Sequence, residues 1–93
     1  MKYINIGNSE KFTGSLNTSV ARPREIFRSA ILNNGARIIL YHNHPSSDLT
    51  PSEADLVFTQ RMKEAGNVLG IELLDHFIVS ETKWLSLKEI GLL

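Results

Sequence analysis

The twenty residues from Ala36 to Asp55 constrain the fold more than any other stretch. Ala36-Arg37-Ile38-Ile39-Leu40-Tyr41 is short, apolar and rich in β-branched residues, the pattern of a buried strand. A polar loop runs from His42 to Thr50, and Thr50-Pro51-Ser52-Glu53 then carries helix-start signals. Thr50 is the expected N-cap, Pro51 suits the first helical position, and Glu53 completes a capping box. Leu56, Val57, Met62, Ala65 and Leu69 supply the apolar stripe of that helix, with Gly66 or Gly70 marking its end. A strand that returns through a loop into an amphipathic helix buries both only if the helix layers on a sheet.

The flanking sequence fits the same plan. Residues 2–6 read as a short strand ending at Gly7-Asn8, and Lys11-Phe12-Thr13 as a second extended piece before Gly14. The polar stretch from Ser15 to Ala21 reads as loop or edge strand. A helix starts near Pro23, where proline and Glu25 both suit a first turn. Ile26, Phe27, Ala30 and Ile31 recur at helical spacing, with Arg24 and Arg28 on another face. Asn33-Asn34-Gly35 stops it, the glycine being the expected left-handed residue. Ile71 to Val79 reads as a strand interrupted by the polar pair Asp75-His76, and Trp84 to Leu93 as a short strand or turn with a final helical turn. The fold class is therefore α/β, with helices packed on a small sheet.

Ninety-three residues make one small domain. Ten basic and ten acidic residues cancel, which removes any long-range electrostatic case for nucleic acid or an anionic membrane. The absence of cysteine excludes disulfides and thiolate metal sites, so a metal would need histidine and carboxylate. No apolar run approaches the ~18 residues that span a bilayer, and Met1 to Ile6 is too polar for a signal peptide. The expectation is a cytoplasmic protein with no membrane partner.

His42 and His44 lie one residue apart where the strand meets the loop. If the strand continues through them, both imidazoles point to one side. The first turns of the following helix bring Ser52, Glu53 and Asp55, and a carboxylate there completes a two-histidine, one-carboxylate set. Its fourth tetrahedral position is left for water, the arrangement of catalytic zinc. These residues alone also allow a plain polar turn, with Pro45 shaping it and Ser52 and Asp55 only supporting the helix start.

His42-x-His44, seven residues, Ser52, two residues and Asp55 resembles the H-x-H-x7-S-x2-D motif of JAB/MPN (JAMM) metalloprotease-like domains. Within them, HNHPSSDLTPSEAD is similar to the signature of the RadC family. GSLNTSVARPREIFRSAILNNGARIIL resembles the segment before that signature, and LLDHFIVS the strand after it. The similarity runs from Gly14 to about Gly91. It implies a JAB1/MPN-like, cytidine deaminase-like layered fold with a small mixed sheet and two main helices. It further implies zinc held by His42, His44 and Asp55, with Ser52 helping to stabilise an oxyanion. The activity implied is hydrolysis of an amide or isopeptide bond in a peptide substrate, and the family carries a DNA-repair name.

Active relatives also use a glutamate, upstream on another element, to accept the proton of the zinc water. RadC-type chains carry further strands before the GSLN stretch, so the expectation for 1–93 is an N-terminally truncated RadC-type JAB/MPN domain without that residue. Glu10 and Glu25 are the upstream candidates, Glu25 being the one considered as a base although the helix dipole alone accounts for it. A catalytically inactive module contacting DNA or a protein partner is the alternative. Arg22, Arg24 and Arg28 are the candidates for a DNA contact, a solvated helix face being the plainer reading. Loss of flanking strands would expose a sheet edge and favour a homodimer. Among the remaining residues, His76 is expected to be hydrogen-bonded inside the fold and to help organise the site. Asp48 is expected to serve the turn, Asn43 to face away from the metal, and Trp84 to be a core or interface anchor.

Overall fold

The chain order is β1 (Lys2–Gly7), β2 (Phe12–Asn17), α1 (Pro23–Leu32), β3 (Gly35–Asn43), α2 (Glu53–Leu69), β4 (Glu72–Val79) and β5 (Trp84–Ser86). These elements belong to a computed structural model that describes residues 2–7, 12–17, 22–44 and 48–93. One five-stranded sheet runs β2-β1-β3-β4-β5. The central pair, β3 and β4, is parallel and is joined through α2, while every other pair is antiparallel. A parallel pair needs such a crossover, because no tight turn can link strands that run the same way. The expected α/β fold, a small mixed sheet with two main helices, is the one observed.

Several local readings are corrected. The extended piece does not stop before Gly14, and the edge-strand alternative for the stretch from Ser15 holds as far as Asn17: β2 runs on with Asn5 opposite Gly14 and Tyr3 opposite Leu16. Pairing with β1 supplies its backbone partners, so the stretch needs no apolar pattern of its own. Lys11 and residues 18–21 lie outside the described residues. α1 buries Ile26, Phe27 and Ala30 as expected, but Ile31 is exposed. The left-handed residue after α1 is Asn34, at φ 54°, rather than Gly35. Asparagine tolerates that conformation, and Gly35 is already engaged opposite Gly7 in the β1–β3 ladder.

α2 turns a different face inward from the one its apolar residues suggested. Asp55, Thr59, Met62 and Gly66 are buried, a helical 4-3-4 spacing, whereas Val57 and Leu69 are exposed. Gly66 is required by contact: a Cβ there would lie 2.2 Å from the Ile71 carbonyl oxygen. Gly70, at φ 71°, ends the helix. The apolar core draws on both helices and the sheet: Ile26, Phe27, Ala30, Ile38, Leu40, Met62, Ile71 and Leu73.

The polar pair in β4 has a structural cause. Ile38 pairs with Leu73 but Ile39 with Asp75, so Leu74 is an extra residue in the ladder. The bulge puts Leu73 and His76, three residues apart, on the face that Ile38 and Leu40 share. The Asp75 carboxylate accepts hydrogen bonds from the His76 amide (2.7 Å), the Lys88 amide (3.1 Å) and the Ser86 hydroxyl. It ties the segment after β5 back to β4.

Candidate metal centre

β3 outlasts its apolar part because β4 continues to pair with it. Asn43 lies opposite Val79, and the His44 amide donates to the Val79 carbonyl at 2.9 Å. Strand alternation therefore carries His42 and His44 onto the helix-covered face already presented by Leu40, while Asn43 is exposed. The first turn of α2 faces them. Its N-cap is Ser52, not Thr50: Ser52 Oγ accepts from the Asp55 amide at 3.0 Å, and the Ser52 amide donates to Asp55 Oδ2 at 2.8 Å. Thr50 instead gives its amide (2.9 Å) and hydroxyl (2.6 Å) to the Asp48 carboxylate, whose pKa those bonds lower. Asp48 thus serves the turn.

The same Asp55 carboxylate that closes the helix start faces both imidazoles. Oδ1 lies 2.7 Å from His42 Nδ1, and Oδ2 lies 3.3 Å from His44 Nε2. Ligand atoms of His42, His44 and Asp55 all fall within 4.8 Å of one another. Of the two carboxylates left open by the strand-and-helix reading, Asp55 joins the histidines and Glu53 stays exposed. Burial raises the Asp55 pKa, but the two Ser52 hydrogen bonds, followed by the nearby histidines, bring it below the ordinary 3.8. The group is ionised at neutral pH.

His44 Nδ1 lies 3.4 Å from the Asp48 carbonyl oxygen, which can only accept. With a proton on Nδ1 for that contact, Nε2 is the ring nitrogen that faces Asp55, 3.3 Å from its Oδ2. His42 Nδ1 is buried and makes no hydrogen bond, despite its 2.7 Å approach to Asp55 Oδ1. A ring nitrogen and a carboxylate oxygen this close can face one cation as two of its ligands. Two imidazoles and one carboxylate form a set that can hold a metal ion.

Behind this cluster, His76 is fully buried and stacks on His42 with centroids 6.2 Å apart and planes at 15°. Its Nδ1 is 2.6 Å from Thr59 Oγ1, so it is indeed hydrogen-bonded inside the fold. Burial first, then the proximity of His42, pushes its pKa down to about 4, and it is neutral. Thr59 escaped the sequence reading. Its signal is a polar residue four positions after Asp55, on what becomes the inner helix face.

The other singled-out residues lie elsewhere. Glu25 is exposed in the first turn of α1 and is not in the cluster. Glu10 and Pro45 lie outside the described residues. Arg22, Arg24 and Arg28 are exposed. Trp84 is 63% exposed rather than a core residue, because it pairs with Val79 at the end of the sheet. There it meets Phe77 edge-on at 5.9 Å, and Phe77 stacks on Tyr41 at 5.6 Å. Among the described residues, no helix is long and apolar enough to cross a membrane.

Residues 2–92 match the family described as "RadC-like JAB domain". The chain is 55% identical over 92 residues to a UPF0758 protein of Clostridium beijerinckii. It is 52% identical over 90 residues to a UPF0758 protein of Clostridium botulinum strain Eklund 17B. These alignments cover 99% and 97% of this chain but 40% and 39% of the two relatives. The chain spans about two fifths of the length of the curated relatives it matches.

Proposed function

The chain belongs to the RadC-like JAB domain family, and from that premise we propose that it carries the zinc centre of a hydrolase acting on amide or isopeptide bonds in a peptide substrate. One observation supports this reading above all: His42, His44 and Asp55 converge from β3 and α2 with an unpartnered buried nitrogen among them. The donor set, two imidazoles and an ionised carboxylate without thiolate, suits zinc with an open fourth position. Bound zinc would supply Lewis-acid polarisation of a carbonyl and lower the pKa of water toward neutrality.

The chain's own groups have distinct tasks in this reading. Asp55 remains ionised and fixed, because its Oδ2 is held by the Ser52 amide. Ser52 Oγ accepts from the Asp55 amide, which leaves its hydroxyl proton to donate toward charge developing on a carbonyl oxygen. Hydrolysis also needs a proton acceptor within reach. Among the described residues, Asp55 is the one carboxylate in the cluster, and that favours a second reading, a metal-holding module without hydrolysis. Its partner would be a protein, or DNA met by the exposed Arg22, Arg24 and Arg28.

The test incubates the zinc-loaded chain with a lysine isopeptide substrate and follows products by mass spectrometry. Cleavage that disappears in His42→Ala supports the hydrolase. A zinc-loaded chain that cleaves nothing, yet binds DNA with an affinity that falls steeply with salt, supports the second reading in its DNA form.

A further inference from the structure

Thr59 and His76 stand outside the ligand set, yet both are tied to it. Thr59 lies one turn beyond Asp55 on α2 and is 1% exposed. Its Oγ1 donates to the Asp55 carbonyl at 2.7 Å. A hydroxyl has a single proton, so the 2.6 Å contact between Oγ1 and His76 Nδ1 must be donated by the histidine. The result is a directed chain from His76 Nδ1–H to Thr59 Oγ1–H to the Asp55 carbonyl. It fixes His76 as the Nδ1–H tautomer and leaves Nε2 buried without a partner.

The ring face of His76 lies against the His42 ring at 15°. One buried residue of β4 therefore reaches two of the three ligands, Asp55 through Thr59 and His42 through its ring. Those two ligands come from different elements, α2 and β3, whose relative placement decides the ligand spacing. Burying this much polar surface is unfavourable unless every link is made.

We propose that Thr59 and His76 are positioning residues for the metal centre, holding Asp55 and His42 at the spacing and tilt that a metal ion requires. This rests on the zinc reading above. Outer groups of this kind typically change metal affinity by about 10- to 100-fold when removed. A merely structural pair would change the stability of the chain and leave the affinity of its folded form alone.

The experiment measures zinc affinity by competition with a chromophoric chelator, and the visible spectrum of the cobalt(II)-substituted chain. Wild type, Thr59→Val, Thr59→Ser and His76→Phe are compared at a temperature where thermal melts show each metal-free chain folded. The expected result is a loss of about 10- to 100-fold in zinc affinity and an altered cobalt spectrum for Thr59→Val and His76→Phe. Thr59→Ser, which keeps the hydroxyl, should return to within a few-fold of wild type. Wild-type affinity in Thr59→Val, or an equal loss in Thr59→Ser, overturns the proposal. If Thr59→Val does not fold, His76→Phe decides, and wild-type affinity in that variant overturns it. A wild-type chain that binds no zinc overturns the metal reading first and this one with it.

Discussion

The helix-covered face of the sheet is divided across its strands into two regions of opposite chemistry. Along the first part of β3, Ile38 and Leu40 pack with Ile26, Phe27, Ala30, Met62 and Leu73 in an apolar layer. Two residues further along the same strand face, His42 and His44 meet Asp55, with Thr59 and His76 behind them. β3, α2 and β4 contribute to both regions, and α1 adds Ile26, Phe27 and Ala30 to the first. The inner face of α2 changes character within its length, from Asp55 and Thr59 to Met62 and Gly66. The apolar layer stabilises by burial and tolerates exchange of one shape for another of like volume. The polar region depends on particular atoms at particular distances, so it holds chemistry that the first region cannot. If the cluster holds zinc as proposed, stability and metal binding should be separable.

Met62 tests that division most severely. It is fully buried, so Met62→Ala should lower stability in urea unfolding by about 2–5 kcal/mol. Zinc affinity of the molecules that remain folded should stay within a few-fold of wild type. A proportionate loss of affinity would merge the two regions into one.

The second effect comes from the polar side. The folded pKa of His76, about 4, lies below its ordinary 6.5. Between those values the unfolded chain binds the extra proton, so stability of the metal-free chain is greatest above pH 6.5. The part that His76 contributes should fall as pH drops to about 4 and level off below that, where Asp55 and Asp48 begin to lose theirs. The full amplitude is about 3 kcal/mol. The titratable groups acting on His76 are His42, Asp55, Asp75 and His44. Denaturation curves across this range should show the decline in wild type and a flatter profile in His76→Phe. A flat wild-type profile would contradict a buried neutral histidine.

Ser52 sits where the regions can be coupled, since it both caps α2 and holds Asp55. Ser52→Ala should destabilise the chain by about 1 kcal/mol and also weaken zinc binding, read by melting and by chelator competition. An effect on stability alone would reduce Ser52 to a cap. The smallest change is expected on the outer face of α2. Val68 is 85% exposed, and Val68→Ser should stay within about 0.5 kcal/mol of wild type.

The strand-loop-helix unit and the His42, His44 and Asp55 cluster were legible because each rested on a local rule. The strand through Leu40 and the two histidines on one face follow from period two. The motif spacing then named Asp55. The readings that failed were those in which two local rules competed. Thr50 with Glu53 and Ser52 with Asp55 are equally good capping boxes by sequence. The contact of Asp55 with two imidazoles decides between them, and that is tertiary. The inward face of α2 was misjudged at Val57 and Leu69 for the same reason: the helix turns to bring Asp55 and Thr59 under the histidines. Asn34 and Gly35 both tolerate a left-handed backbone, and pairing of Gly35 with Gly7 left the role to Asn34. The bulge at Leu74 had no signal beyond the oddity of Asp75-His76, yet it is what turns His76 inward.

The central claim is that His42, His44 and Asp55 are ligands of one metal ion, and the most direct test is the metal content of the purified chain. Elemental analysis of freshly prepared wild type should find close to one zinc per chain. His44→Ala, with its fold verified by circular dichroism, should retain almost none. Wild type without zinc, and unable to take it up on addition, would contradict the account.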